Sequence, residues 1–360
     1  MKHPMAPPTT DVTLEITPET RIAVIDAKKE LSAKQGERLA PYSKLLCCSH
    51  HTTAGFLEQS LCARIQHRQE SIEALVHSAQ HLFPKSAPYR HNEMSLRSEL
   101  PEAQKLVEPL NADSHLAFIG LGMENCVTYD NHPEVPVYFI DLDGVFEGRH
   151  RRRIAQVIGF NRSATVVEST LQIPVSHRAI DSVNLSDPRN GIQEQLEDIV
   201  KTHDVRKGKI VLSLAPSERH AGLTVNEYET LLMKHDLMEV LRNPLWFMAR
   251  GATNMVRDPR AVPKKAKGYI KYDLVHVVNQ VIHSLGLNES LIERVIDRIA
   301  ARSASRRLRL KRSVTMLVDS PSNRRPGTIV YGTYQSPILI QWQKAGGHHR
   351  TVHVRLIRFE

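Results

Sequence analysis

The sequence predicts a duplicated domain, two copies of one unit built from strands and helices, on three observations. Ser49-His50-His51-Thr52-Thr53, which ends an apolar run and leads into Ala54-Gly55, returns in weakened form as Ser217-Glu218-Arg219-His220-Ala221-Gly222. Thr13-Leu14-Glu15-Ile16 is matched by Thr170-Leu171-Gln172-Ile173, and Arg21 by Arg178 at the same offset. Each half also closes on an arginine-rich run of alternating apolar residues, His150 to Phe160 and His349 to Phe359. Beginning, middle and end correspond in order, which marks two copies of a domain and not a short solenoid repeat.

The elements follow in order. Val12, Leu14 and Ile16 alternate with polar residues within 12–25, a strand signal with Pro18 at its turn. The apolar run Leu45-Leu46-Cys47-Cys48 feeds the His-Thr segment as Ile210-Val211-Leu212-Ser213-Leu214 feeds its counterpart. A helix is expected over 63–83, with Ile65, Ile72, Leu75, Val76 and Leu82 on one stripe, and another over 227–241 with Leu231, Leu232, Leu237 and Val240. The linker is expected near 161–168, which gives domains 10–160 and 169–360. The second domain carries a helical insertion at about 243–302. It opens on a connecting loop from Asn243-Pro244 to Pro263, and Ser290-Leu291-Ile292-Glu293 is a capping box ahead of Val295, Ile296 and Ile299.

Composition narrows the function classes. A chain of 360 residues, 41% hydrophobic, can bury a core in each half. No signal-like N-terminus and no run of about 18 apolar residues occurs, so a soluble, cytoplasmic protein without a membrane partner is expected. The four cysteines, Cys47, Cys48, Cys62 and Cys126, form no disulfide framework and no CxxC pair; buried thiols are expected, with Cys47 and Cys48 on opposite faces of a strand. The formal charge of +9 is concentrated, with Lys264, Lys265, Lys267 and Lys271 in segment 257–271 and Arg302, Arg306, Arg307, Arg309, Lys311 and Arg312 in segment 302–312. Such runs grip nucleic-acid phosphates or form a solvated face, and the few aromatics do not decide between the two.

His51, at a strand end, His91, in Pro88-Tyr89-Arg90-His91-Asn92, and His115, in Asn111-Ala112-Asp113-Ser114-His115-Leu116, lie on separate elements that could meet. Imidazoles from separate elements hold a divalent metal with an open position, and zinc lowers the pKa of its bound water to about 7. Scatter at element ends in a chain with 19 histidines accounts for the same pattern, since no local metal-binding motif is present.

His51-Thr52-Thr53-Ala54-Gly55, Tyr89-Arg90-His91 and Ser114-His115-Leu116 together resemble the ordered pattern of the YjbQ-like family, small proteins also labelled secondary thiamine-phosphate synthases. The second half is similar to that family at its other positions. Thr224-Val225-Asn226-Glu227 and Lys234-His235-Asp236-Leu237-Met238 stand for the family's Asn-Glu and Arg-His-Asp-Met-Glu. Gly332-Thr333-Tyr334-Gln335 stands for its Gly-Thr-Trp-Gln, and Gly346-Gly347-His348-His349-Arg350 for its Gly-Gly-x-Arg-Arg. Each half departs where the other conforms: Gln59-Ser60 replaces Asn-Glu in the first, while Glu218 and Arg307 replace His51 and His115 in the second.

The resemblance implies an α+β fold of two tandem YjbQ-like domains, each an antiparallel sheet with packed helices, and a homo-oligomer. It implies a divalent metal, zinc in the first instance, on His51, His91 and His115, with Glu227 or Asp236 as general base. Thr52, Thr53, Asn226, Gln335 and Arg350 would then bind a small phosphorylated or anionic substrate, as in a thiamine-phosphate synthase. One composite site drawn from both halves and a site confined to the first half both fit. A metal-dependent hydrolase is the nearest alternative, and a nucleic-acid or ribosome-associated protein using 257–271 and 302–312 is the alternative from another class. Asn226-Glu227 as an ordinary helix start and Asp236 as a surface ion-pair residue are the bland readings.

Overall fold

The computed structural model describes residues 7–85, 87, 89–97, 100–228, 236, 310–320 and 326–360. The chain runs through β1 (Thr9–Ile16), β2 (Ala23–Asp26), α1 (Ala27–Gln35), β3 (Lys44–Ser49), β4 (Ala54–Phe56), α2 (Gln59–Arg64), α3 (Gln69–Leu82), α4 (Glu102–Lys105) and α5 (Ala112–Leu121). It continues through β5 (Cys126–Asp130), β6 (Tyr138–Asp141), β7 (Val145–Phe146), β8 (Arg149–His150), β9 (Arg153–Phe160), β10 (Ser163–Pro174), β11 (Asp181–Asn184), α6 (Ile192–Thr202) and β12 (Lys207–Leu214). It closes with β13 (Ala221–Asn226), β14 (Ser313–Asp319), β15 (Thr328–Val330), β16 (Ser336–Gln341) and β17 (His349–Phe359). Two compact units result: Met1–His67 with Gly122–Tyr228 and Lys311–Glu360, which holds every described strand, and Arg68–Leu121 with Glu229–Leu310. The units cut across both halves of the sequence.

In the strand unit all described pairings are antiparallel, so the fold is a mixture of antiparallel sheets with few helices. One sheet has the order β1-β9-β3-β5 and a second β10-β17-β12-β14-β15; two small sheets run β2-β6-β4 and β11-β16-β13. Ile16 pairs with Arg153 as Ile173 pairs with Arg350, and Ala54 pairs with Asp141 as Ala221 pairs with Gln341. The closing strands therefore correspond at Arg153 and Arg350, two residues away from the His150 and His349 match read in the sequence. A slip of two preserves every inward and outward face of a strand, so the alternating pattern cannot detect it.

Local chemistry explains the helices here. Asp26 caps α1, its Oδ1 accepting from the amides of Lys28 (3.0 Å) and Lys29 (3.2 Å), and Ala27 and Leu31 give the helix its buried edge. In α6, Ile192, Leu196 and Val200 recur every fourth residue and enter the second core with Leu212, Leu223 and Val354. The first core gathers Leu14, Leu45, Phe56, Phe139 and Val157.

A third cluster joins the halves: Leu46, Cys48, Cys126, Ile158 and Phe160 pack with Leu317 and Phe359. Phe160 stacks on Phe359 with centroids 4.0 Å apart and planes 11° from parallel, an arrangement worth about 0.5–1.5 kcal/mol beyond area burial. Cys47 faces the first core and Cys48 the joint cluster, the opposite faces expected of a strand, and all four thiols are buried and unlinked. The expected linker at 161–168 is mostly strand. β10 begins at Ser163, and Arg162 and Glu360 exchange backbone hydrogen bonds beside the joint cluster.

The helix expected over 63–83 is broken. Gln66 (φ 59°) and His67 (φ 51°) are left-handed and separate α2 from α3, so Ile65 falls just past the end of α2 while Ile72, Leu75, Val76 and Leu82 belong to α3. In the second unit α3 buries Ile72, Val76 and Ala79, and α5 is buried along nearly its whole length. The Phe83 ring lies so close to Gly120 that a Cβ there would stand 2.7 Å from it. Of the helix expected over 227–241, Asp236 is helical and buried, and residues 229–235 and 237–241 lie outside the described residues. So does the 243–302 insertion, with its opening loop, its capping box and segment 257–271. No described helix is long and apolar enough to cross a membrane.

Candidate functional site

The helical unit brings His91 and His115 face to face. His91 sits in a 3-10 turn, Arg90–Asn92, and His115 one turn into α5; they are 1% and 0% exposed. Their ring centroids are 5.0 Å apart at 62°, and a ring nitrogen of each lies within 4.8 Å of the other. The turn is locked to α5 from both sides. Asn92 Oδ1 accepts from the Ala112 amide (3.1 Å), and Asn111 Oδ1 lies 3.3 Å from His91 Nε2. Asp236 fixes the turn's backbone, its Oδ1 accepting from the Arg90 amide (3.0 Å) and its Oδ2 from the His91 amide (2.9 Å). Asp236 is thus no surface ion-pair residue, and both its oxygens already hold backbone that a general base would have to release.

This donor set fits a divalent ion. With metal–nitrogen bonds of about 2.0–2.1 Å, two imidazole centroids on one tetrahedral ion stand about 5 Å apart, as these do. In the tautomer that donates from Nε2 to Asn111, Nδ1 of His91 would be the nitrogen offered to a metal, the outer-partner arrangement usual for metal-bound histidine.

In the strand unit, His51 ends the first-half motif, and the chain around it is clasped from several directions. Ser49 Oγ donates to the Ala54 carbonyl (2.7 Å) and accepts from the His51 amide (3.3 Å), which forms the turn between β3 and β4. His51 Nε2 accepts from the Ile154 amide (2.8 Å), so that nitrogen is already engaged. Burial holds the imidazole pKa down to about 3, with the Arg153, His50 and Arg151 charges adding to the effect, and the ring is neutral at physiological pH.

The second-half motif reaches this turn. Gln335 Nε2 donates to the carbonyls of Ser49 (2.9 Å) and His51 (3.0 Å), its Oε1 accepts from the Gly332 amide (2.9 Å), and Asn125 Nδ2 adds a bond to the His51 carbonyl (2.6 Å). Gly332 is needed for the approach: a Cβ there would stand 1.9 Å from the His50 carbonyl oxygen. Gln335, expected to bind substrate, spends its amide on protein backbone.

Two buried arginines organise the corresponding places in each half. Arg153 donates from Nε to Asp141 Oδ2 (2.6 Å) and from Nη2 to Asp141 Oδ1 (2.9 Å) and the Asp143 carbonyl (2.6 Å), with Thr53 Oγ1 at 3.5 Å. Burial still lifts the Asp141 carboxyl above the usual range against the pull of Arg153. Arg350 donates to Gln341 Oε1 (3.2 Å), Glu218 Oε2 (2.9 Å), and the carbonyls of Arg219 (2.9 Å) and Gln343 (2.5 Å). Its guanidinium, expected to grip a substrate anion, is committed to loop backbone and Glu218. Arg153 was not singled out in the sequence; its register opposite Ile16, matching Arg350 opposite Ile173, is the signal that finds it.

Thr52 is half-buried in the turn. Asn226 ends β13 fully buried, its Oδ1 accepting from the Glu227 amide (2.8 Å), and Glu227 is 8% exposed, which removes the reading of an ordinary exposed helix start. Elsewhere in this unit Lys311 Nζ bridges Glu58 (3.1 Å) and Glu124 (3.0 Å), and burial pushes the Glu124 carboxyl up to about 7 although Lys311 opposes the shift. Arg312 donates to the carbonyls of Leu214 (3.3 Å), Ala215 (2.6 Å) and Glu218. These two described cations of segment 302–312 are therefore tied to the protein itself; residues 302–309 lie outside the described residues.

No protein-family model matches the chain, and no curated protein matches it. Among solved structures it is similar to a YbjQ-like protein of unknown function from Sulfolobus solfataricus P2, at 15% identity over 55% of this chain and 99% of that one, with a TM-score of 0.31. It is similar to an uncharacterized conserved protein of the yjbq/upf0047 family from Clostridium acetobutylicum at 15% identity, over 53% of this chain and 99% of that one, with a TM-score of 0.29. A conserved hypothetical protein from Thermus thermophilus aligns at 18% identity over 52% of this chain and 98% of that one, with a TM-score of 0.28.

Proposed function

We propose that this chain is a tandem repeat of one α+β domain and a metal-dependent enzyme acting on a small phosphorylated or anionic substrate. The repeat is supported by strand order: β1-β9-β3-β5 and β10-β17-β12-β14 list equivalent strands, as do β2-β6-β4 and β11-β16-β13. The observation that carries the enzyme reading is the buried His91–His115 pair at a separation suited to a tetrahedral ion. A divalent ion there, zinc by donor type, would supply Lewis acidity or a water acidified to a pKa of about 7.

The chain's own residues divide the remaining work. Asp236 and Asn111 hold His91 in place, one by its backbone and one by its ring. Within the strand unit, Glu227 is the proposed proton-transferring carboxylate, His51 a further imidazole, and Thr52 and Asn226 the proposed substrate-binding groups. Thr53, Gln335 and Arg350 hold backbone and neighbouring side chains in this reading and leave substrate alone.

Metal content of the purified wild type, His91→Ala, His115→Ala and Glu227→Gln, with turnover of a panel of phosphorylated small molecules, tests this. A tightly held metal in the wild type that both histidine variants lose is the expected result. Glu227→Gln is expected to lose turnover. A wild type that takes up no zinc in titration overturns the reading.

A further inference from the structure

Outside that site, a second pair of imidazoles stands on loops of the strand unit. His177 follows β10 and His348 precedes β17; both are exposed, and their ring centroids lie 4.2 Å apart at 70°. Side chains at loop tips ordinarily scatter, so what holds these two loops decides whether the pair is more than chance.

The loops are pinned by buried polar groups. The Val175 amide donates to the carbonyl of His348 itself (2.9 Å), tying one loop to the other. Gln341, fully buried, donates from Nε2 to the carbonyls of Ser176 (3.3 Å) and Arg178 (2.8 Å), the residues on either side of His177. The Oε1 of that amide accepts from Arg350 Nε, and Arg350 Nη2 holds the Gln343 carbonyl on the loop leading to His348 (2.5 Å). One buried Gln–Arg pair thus sets the backbone on both sides, the kind of supporting shell that holds ligands in register. In the first half, Arg21 and Arg153 correspond to Arg178 and Arg350, which puts Thr20 and Arg151 where the second half has His177 and His348. The pair is a property of the second half.

We propose that His177 and His348 form a surface metal site for a divalent ion of tetragonal or octahedral preference, Ni2+ or Cu2+, with water completing the shell. Imidazole suits these ions, and two imidazoles at right angles on one ion have centroids about 4.5 Å apart, against about 5 Å for a tetrahedral ion. The 4.2 Å pair matches the right-angled arrangement and the 5.0 Å pair in the helical unit the tetrahedral one. The two sites differ in preferred ion and in access to solvent.

The test is calorimetric titration of the full-length protein with Ni2+, in the wild type and in His177→Ala, His348→Ala and His91→Ala. Both surface histidines are exposed, so their variants fold. Each is expected to weaken a Ni2+ component about tenfold or more while His91→Ala leaves it intact. Ni2+-induced broadening of amide resonances is expected at 175–178 and 345–349. A Ni2+ isotherm unchanged by either surface variant, or abolished by His91→Ala alone, overturns the proposal whether or not zinc binds His91 and His115.

Discussion

Replacing Gly332 by alanine should destabilise the strand unit out of proportion to the one methyl group added. The new Cβ would stand 1.9 Å from the His50 carbonyl oxygen, 2.7 Å from its carbon and 3.2 Å from its Cα, all backbone atoms that cannot rotate away. An ordinary carbon–oxygen contact is about 3.4 Å, so the two segments must part by about 1.5 Å. That is enough to break both bonds from Gln335 to the Ser49 and His51 carbonyls, now 2.9 and 3.0 Å. Overpacking costs about 1–3 kcal/mol and each lost hydrogen bond about 0.5–1.5 kcal/mol, for a total of about 2–6 kcal/mol. Urea denaturation at pH 7 measures it, with Gly346→Ala as control, because a Cβ at Gly346 meets nothing within 4 Å. If the two variants unfold at the same urea concentration, the close approach of Gly332 to the His50 turn is refuted.

Gln335→Glu keeps the size of the side chain but cannot donate to the two carbonyls. It should lose about 2 kcal/mol or more, and full stability in the same assay would discount the clasp. Phe359→Ala removes the stack on Phe160 and should cost about 3–5 kcal/mol, read from the unfolding midpoint. Glu124 gives a pH signature: its carboxyl is raised from 4.5 to about 7 in the folded protein, so the native state binds more protons than the unfolded chain between those values. Its contribution is fully present below pH 4.5 and is lost as pH rises through about 7. Glu124→Gln should flatten that part of the stability profile, and an unchanged slope would show that the group titrates normally.

Much of the architecture was legible because strands announce themselves by alternation and because one motif occurs twice. Val12, Leu14 and Ile16 face a core as their spacing requires, and Cys47 and Cys48 part to opposite sides. Period-two patterning is blind to a shift of two, which hid the correspondence of Arg153 with Arg350. The break at Gln66 and His67 was hidden for a different reason: left-handed backbone in residues other than glycine leaves no compositional mark. α1 leaves no periodic stripe in the sequence, because Ala27 and Leu31 are its only buried residues.

At the candidate site, residue types were legible and roles were not. His91 and His115 could be named from motif order. That Asp236, Gln335 and Arg350 hold backbone depends on partners distant in sequence, and type alone cannot separate a carboxylate that caps a turn from one that moves a proton.

The bond between Gln335 and the His51 carbonyl joins residues 284 positions apart. During synthesis at about 5–20 residues per second, the turn carrying His51 leaves the ribosome roughly 15–60 s before its clasp exists. Through that interval the Ser49 and His51 carbonyls lack the amide that later covers them. A first half expressed alone would keep that deficit permanently. Supplying the second half as a separate chain should restore the turn only as fast as the two pieces meet, which makes recovery of the turn dependent on protein concentration.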